Sequence, residues 1–168
     1  DYKNLSNSFF LSGSYFKSRI KNKIDYVWSS GGYLQGSGKT EIDGYEITSK
    51  KYINRDLFGI LSYTFTDSDE TGKKGALVPM HKLSTVLNYD FNPDFRGNLN
   101  LIYQEKAYDT NGDELPAFTL LSSGLNYDLN ENLNSYIKLN NILNQNYQVN
   151  RNYGTPDFSF IAGIESKY

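Results

Sequence analysis

Apolar and polar residues alternate along most of this chain. From Leu57, the positions Leu57, Gly59, Leu61, Tyr63 and Phe65 form one series, and Phe58, Ile60, Ser62, Thr64 and Thr66 form another that turns polar after Ile60. Leu83, Thr85, Leu87, Tyr89 and Phe91 stand against Ser84, Val86, Asn88 and Asp90 in the same way. Phe95, Gly97, Leu99, Leu101 and Tyr103 stand against Arg96, Asn98, Asn100 and Gln104. A period of two puts successive side chains on opposite faces of a strand, so each run predicts a β-strand with one apolar face. The same rhythm predicts strands from Leu5 to about Ser29 with a turn at Gly31-Gly32, and over Tyr33 to Ile53, Pro116 to Leu129, Leu133 to Asn144 and Phe158 to Tyr168. That makes eight strands.

Their connections are of two kinds. Asn54-Arg55-Asp56, Asn92-Pro93-Asp94 and Asn130-Glu131-Asn132 are short turns recurring every 38 residues, whereas Ser68 to Met80, Tyr108 to Leu115 and Gln145 to Asp157 are long and polar. Tight turns at one end and long loops at the other predict an up-and-down transmembrane β-barrel. Aromatic residues gather beside the tight turns (Tyr89, Phe91, Phe95, Tyr127) and again about eight residues up the strands (Phe65, Tyr103). Eight residues at roughly 3.3 Å rise and about 40° tilt span about 20 Å, near the apolar band between two aromatic girdles. The apolar series is therefore expected to face lipid, Leu139 included, and the polar series to face a lumen. In the last strand Phe158, Phe160, Ala162, Ile164 and Tyr168 share the lipid parity, as a barrel-closing strand carrying an assembly signal would; a plain edge strand would alternate likewise.

Composition narrows the function. The apolar content is led by 15 Tyr and 10 Phe, and no stretch approaches the roughly 18 apolar residues of a membrane helix. A net charge of −2 with both signs dispersed provides no basic face for nucleic acid. Cysteine is absent and His81 is the single histidine, which leaves no thiolate nucleophile, no Cys-based zinc site and no histidine cluster. No Ser, Asp or Glu combines with a usable base, so no catalytic, cofactor or metal residues are assigned and the chain is not expected to be an enzyme. Asp109 to Glu114 concentrates hard oxygen ligands but departs from the EF-hand order, and Asn111-Gly112 marks it as a surface turn.

Four motifs in order carry a resemblance. Gly44-Tyr45-Glu46 looks like a Gly-aliphatic-Glu element in a descending strand, and Ser62-Tyr63-Thr64-Phe65-Thr66-Asp67 is similar to the Ser-Tyr-x-aromatic-x-Asp strand that follows it. Val78-Pro79-Met80-His81 resembles a Pro-x-His strand entry, and Asn141-Ile142-Leu143-Asn144-Gln145-Asn146-Tyr147 resembles an Asn-Leu-Phe-Asp-x-x-Tyr motif in the penultimate strand. Together they resemble the C-terminal part of TonB-dependent outer-membrane receptors, especially those for cobalamin and siderophores. Tyr153-Gly154-Thr155-Pro156-Asp157-Phe158 departs from the family's Pro-Gly-Arg ending, and Tyr168 stands where Phe is commoner.

The resemblance implies an all-β, antiparallel barrel segment of about eight strands drawn from a larger plugged barrel, with residues 1–168 as its C-terminal part. It implies a place in the outer membrane of a Gram-negative bacterium and uptake of a scarce nutrient such as cobalamin or an iron-siderophore. The partners it implies are outer-membrane lipid, the receptor's own N-terminal plug and strands, the TonB system through that plug, and a small ligand. Motif positions Gly44, Tyr45, Glu46, Asn141, Asn144 and Tyr147 are structural candidates; parity turns Glu46 to the lumen with Asp90, Arg96 and Lys138, where it contacts plug or water. Candidate ligand residues are the loop aromatics and one cation: Trp28, Tyr33, Tyr108, Tyr147, Arg151 and Tyr153. Loop-to-loop packing is the alternative for each. The alternative for the whole chain is a complete eight-stranded barrel, either a small structural or adhesive outer-membrane protein or a lipocalin-like carrier.

Overall fold

In a computed structural model, which describes residues 9–36, 38–70 and 73–166, eight long strands form one antiparallel sheet. They are β1 (Phe9–Lys21), β2 (Lys39–Tyr52), β3 (Leu57–Glu70), β4 (His81–Asn92), β5 (Phe95–Gln104), β6 (Phe118–Asn130), β7 (Leu133–Asn140) and β8 (Ser159–Ser166). Among the described residues each pairs with its sequence neighbours and nothing else except a short Lys73–Lys74 ladder on β3. Among the described residues β1 and β8 do not pair, so the sheet is open. A self-closed eight-stranded barrel is therefore not what this chain forms.

Register carries the alternation across the whole sheet. Leu61 lies opposite Thr85, Tyr63 opposite Leu83, Leu87 opposite Leu99, Leu101 opposite Leu121 and Leu139 opposite Ser123, which collects the predicted apolar series on one face. The other face carries Thr48 opposite Ser62, Ser62 opposite Ser84, Asn88 opposite Asn98 and Asn126 opposite Tyr136. Among the described residues no second layer covers the apolar side. Leu61 is 47% exposed, Ile137 45% and Ile164 70%, while the buried apolar side chains among the described residues, Ala107, Leu115 and Phe118, all sit at the long-loop end. A bare apolar sheet face in water would be a strong aggregation surface; a bilayer is its natural cover.

The tight turns are built alike. Asn54 Oδ1 accepts from the backbone N–H groups of Asp56 and Leu57, Asn92 Oδ1 from those of Asp94 and Phe95, and Asn130 Oδ1 from that of Asn132, at 2.8–3.0 Å. An Asn side chain that accepts from the backbone two residues on makes the turn without help from neighbours. Adjacent turns are then tied together, Asp90 N–H to the Asp56 carbonyl and Asp128 N–H to the Asp94 carbonyl, both at 2.8 Å. Register shifts fall at the same place before successive turns, between Asp90 and Asn92 and between Asp128 and Asn130.

Three strand boundaries differ from the alternation. The predicted Leu5–Ser29 strand is cut at Asn22, whose φ is 55°, and continues as a separate hairpin of Ile24–Val27 with Gly32–Gln35 around a 3-10 turn at Trp28–Ser30. The strand predicted over Tyr33 to Ile53 splits correspondingly, with β2 starting only at Lys39. The strand predicted to reach Asn144 ends at Asn140 because Asn141 and Asn144 take φ values of 47° and 46°. Alternation of side chains registers none of these left-handed residues. Tyr168 and the start at Leu5 lie outside the described residues.

Candidate functional site

The long-loop end holds a cleft of about 700 Å³ whose walls come from separate parts of the chain. Lys23 and Tyr26 come from the Asn22 break and the hairpin beyond it; Glu70 and Lys74 come from the end of β3 and its ladder. Tyr108, Asp109, Thr110, Asn111 and Gly112 come from a small hairpin in which Ala107–Tyr108 pairs with Glu114–Leu115. Gly112 makes that hairpin possible, since its φ of 88° is one that a side chain resists. Asp109 is 5% exposed and spends Oδ1 on the backbone N–H groups of Asn111 and Asp113, at 2.8 and 2.9 Å. The expected surface turn is present, and its acidic residues organise the loop; among the described residues no group of three or more His, Cys, Asp or Glu is placed to hold a metal.

Charge in the cleft is balanced locally. Lys23 Nζ meets Glu70 Oε1 at 2.9 Å, and Lys74 Nζ meets Asp67 Oδ1 at 2.7 Å. Lys106 meets Glu114 at 2.8 Å and lies 5.9 Å from the Tyr108 ring centre. Its hydrogen bond to Glu114, then the charge of Glu114 and the nearby Tyr108, hold the Lys106 ammonium above its ordinary pKa. Such a surface is aromatic and zwitterionic. It suits a ligand with broad apolar faces and a polar rim better than a polyanion.

The six loop residues singled out from sequence have divergent surroundings. Tyr108 lines the cleft. Tyr33 is 74% exposed and meets Tyr26 edge-on with ring centres 5.3 Å apart. Trp28 opens the 3-10 turn at the hairpin tip. Arg151 ion-pairs with Asp113 and lies 3.8 Å from Asp109, so it clasps the last loop to the 107–115 hairpin. Tyr147 packs on Phe118 with ring centres 4.7 Å apart, and Tyr153 is 66% exposed. Nothing in the sequence marks Lys23 or Tyr26, and Lys74, with Lys73, Asp67, Asp69 and Glu70, reads there only as a solvated loop tip. Their partners across the cleft lie about 30 to 90 residues away in the chain, and no local pattern encodes that.

The motif positions are architectural. A Cβ on Gly44 would lie 2.1 Å from the Phe65 carbonyl oxygen and 2.7 Å from Phe16, so only glycine fits. Tyr45 stacks on Phe65 at 5.1 Å, and the register aligns Tyr15, Tyr45, Phe65 and His81 in one row. Glu46 lies opposite Ser14 and Thr64 on the polar face. Asn141 is a buried knot: Nδ2 donates to the Gln145 and Pro156 carbonyls at 3.0 and 3.1 Å, and Oδ1 accepts from the Gln145 N–H at 3.0 Å. Asn144 Oδ1 takes the Phe158 N–H at 2.9 Å and Gln145 Oε1 the Thr119 N–H at 2.7 Å, which aims the chain into β8.

Comparison with known proteins agrees with this geometry. Residues 1–142 match the family model for the TonB dependent receptor-like β-barrel. The chain is 24% identical over 133 residues to the vitamin B12 transporter BtuB of Photobacterium profundum, covering 77% of this chain and 22% of that protein. It is 26% identical over 147 residues to the metal-pseudopaline receptor CntO of Pseudomonas aeruginosa, covering 79% and 21%. The siderophore receptor PiuA of Acinetobacter baumannii superposes with a TM-score of 0.76 at 20% identity, over 98% of this chain and 27% of PiuA. The chain thus spans about a fifth of the length of its curated relatives. An open, singly layered sheet with an apolar outer face, matched over most of its length by this family, places the chain in the Gram-negative outer membrane, and it belongs to the TonB-dependent receptor β-barrel family.

Proposed function

We propose that the chain is the C-terminal wall of a TonB-coupled transporter importing a scarce nutrient of the cobalamin or metal-chelate class. In this reading the remaining strands close a larger barrel around an N-terminal plug, the loop cleft contributes to ligand capture, and TonB acts on the plug. The observation that carries it is the pairing of an open sheet with a neutral, aromatic-walled cleft at the long-loop end. Sheet edges left unpaired in lipid are costly because backbone N–H and C=O groups find no water there, which supports completion by further strands. The polar face, rich in Asn and Ser, suits a wet lumen or a plug surface. Tyr26, Tyr108, Lys23 and Lys74 provide ring faces and donors for the ligand, with Trp28, Tyr33 and Tyr153 on the approach.

The test compares uptake of cobalamin and of metal chelates by cells carrying the full-length receptor, the Tyr26→Ala/Tyr108→Ala receptor, or residues 1–168 behind a signal peptide. Energy-dependent uptake is expected from the full-length receptor, with at least about a tenfold loss of affinity in the double variant as two aromatic contacts disappear. Uptake by residues 1–168 alone would overturn the reading.

A further inference from the structure

The row of Tyr15, Tyr45, Phe65 and His81 ends in a carboxylate. The Glu105 N–H donates to the His81 carbonyl at 2.9 Å, which continues the pairing of Lys82 with Gln104 and sets Glu105 beside His81 on the same face. The Tyr63 hydroxyl lies 2.7 Å from His81 Nδ1 and holds the ring, whose Nε2 faces Glu105 Oε2 at 3.9 Å, too long for a hydrogen bond. That oxygen is shut away from solvent and has no hydrogen-bond partner. A neutral imidazole offers one N–H to the two oxygens around it, whereas an imidazolium offers one to each. Lipid on the outward side strengthens any attraction between the two side chains, since little water screens it. Among the described residues no Lys or Arg pairs with Glu105. The other groups around the ring do not compete: Phe65 is apolar, Tyr45 and Tyr103 are phenols, Lys82 points to the opposite face, and Asp67, next outward on β3, is held by Lys74.

We propose that a proton taken up by His81 fastens it to Glu105 and thereby firms the 107–115 hairpin, so that the long-loop cleft is better ordered in acid than in alkaline surroundings. The connections argue for it. Glu105 is the residue from which the chain leaves β5 for that hairpin, and His81 is the residue at which the preceding loop enters β4. The same loop already reaches the hairpin, since the Leu77 N–H donates to the Tyr108 carbonyl at 2.7 Å. Drawing Glu105 to His81 therefore closes the base of two segments whose tips are joined, and Tyr108 to Gly112 beyond them wall the cleft. The sign follows from linkage. Protonation strengthens the contact, so the closed contact favours the proton, and the fastening is present on the acid side of the range of about pH 5 to 8 in which imidazoles titrate and is lost as pH rises through it. A firmer cleft holds a ligand better; that consequence alone rests on the capture role proposed above.

The full-length receptor, spin-labelled at Thr110 and held in a bilayer, is titrated from about pH 8 to about pH 5 while the mobility of the label is followed. The label is expected to lose mobility as the pH falls. Glu105→Gln, which keeps the shape of the side chain and removes its charge, is expected to abolish the step, as is His81→Gln, while Asp90→Asn at the tight-turn end leaves it in place. Heat-modifiable gel mobility checks that each barrel is folded. A label equally mobile across the range in the unmodified receptor, a step that survives in folded Glu105→Gln, or mobility that rises in acid would each overturn the inference. The measurement involves no ligand, so a step of the expected sign in a receptor that takes up neither cobalamin nor metal chelates would uphold the fastening and reject only the transport reading.

Discussion

At the residue scale, asparagine does most of the local work. Asn54, Asn92 and Asn130 fold the tight turns, while Asn141 and Asn144 hold left-handed conformations that their short polar side chains tolerate and stabilise. Asn141 is 6% exposed and makes three hydrogen bonds, so Asn141→Ala leaves the Gln145 and Pro156 carbonyls and the Gln145 N–H short of a partner. We expect a loss of roughly 2–4 kcal/mol confined to the last loop, visible as faster tryptic cleavage at Arg151 with the barrel otherwise folded. Unchanged cleavage would show that the knot is dispensable. Gly44→Ala is expected to be more damaging, because its Cβ meets the Phe65 backbone rather than a movable side chain; the measurement is loss of the folded, heat-modifiable band. Both positions stood out in the sequence as motif members, but the contacts that explain them come from Pro156 and Phe65, which only folding brings near.

At the element scale, period-two alternation located every long strand and its faces, because a strand fixes side-chain direction by chemistry that needs no tertiary partner. Spin labels at Leu61, Leu87 and Leu99 in bilayers should be shielded from water-soluble quenchers, and labels at Ser62, Asn88 and Asn98 should not; equal access at Leu61 and Ser62 would reject the register. The 107–115 hairpin makes a pH prediction. Lys106 has its folded pKa raised, chiefly by the hydrogen bond to Glu114. Its contribution is therefore complete below the unfolded Lys value of about 10.4 and is lost as pH rises through the higher folded value. A spin label at Thr110 should gain mobility across that alkaline window, and Lys106→Met should be mobile throughout with no step there. The boundaries at Asn22 and Asn141 were not legible, since a single left-handed residue interrupts a strand without disturbing the hydrophobic pattern.

At the scale of the molecule, the tight turns and the cleft lie at opposite ends of one sheet. Membership of the outer-membrane family assigns the tight turns to the periplasm and the long loops to the cell exterior. Cysteines placed at Asn111 and Arg151 in the full-length receptor should react with an impermeant reagent on intact cells, and cysteines at Asn54, Asn92 and Asn130 should react only after the cells are opened. Reaction at Asn92 in intact cells, with none at Asn111, would invert the topology. The two sheet edges define a further expectation from the proposed larger barrel: a cysteine pair at Ser14 on β1 and Gly163 on β8 should not form a disulfide in the full-length receptor, because that proposal sets other strands between them.

What the sequence determined by itself was the repeating unit: strand, Asn turn, strand, long loop, with one face for lipid and one for water. Each part of that unit is set by residues within a few positions of one another, through side-chain alternation and an Asn carbonyl reaching its own turn. The tertiary structure decided which loops meet, that Arg151 clasps the 107–115 hairpin while Tyr108 faces Lys23, Tyr26 and Lys74, and that β1 and β8 stay apart. Those outcomes depend on the curvature and stagger accumulated over eight strands, a sum of long-range register that no short stretch of residues records.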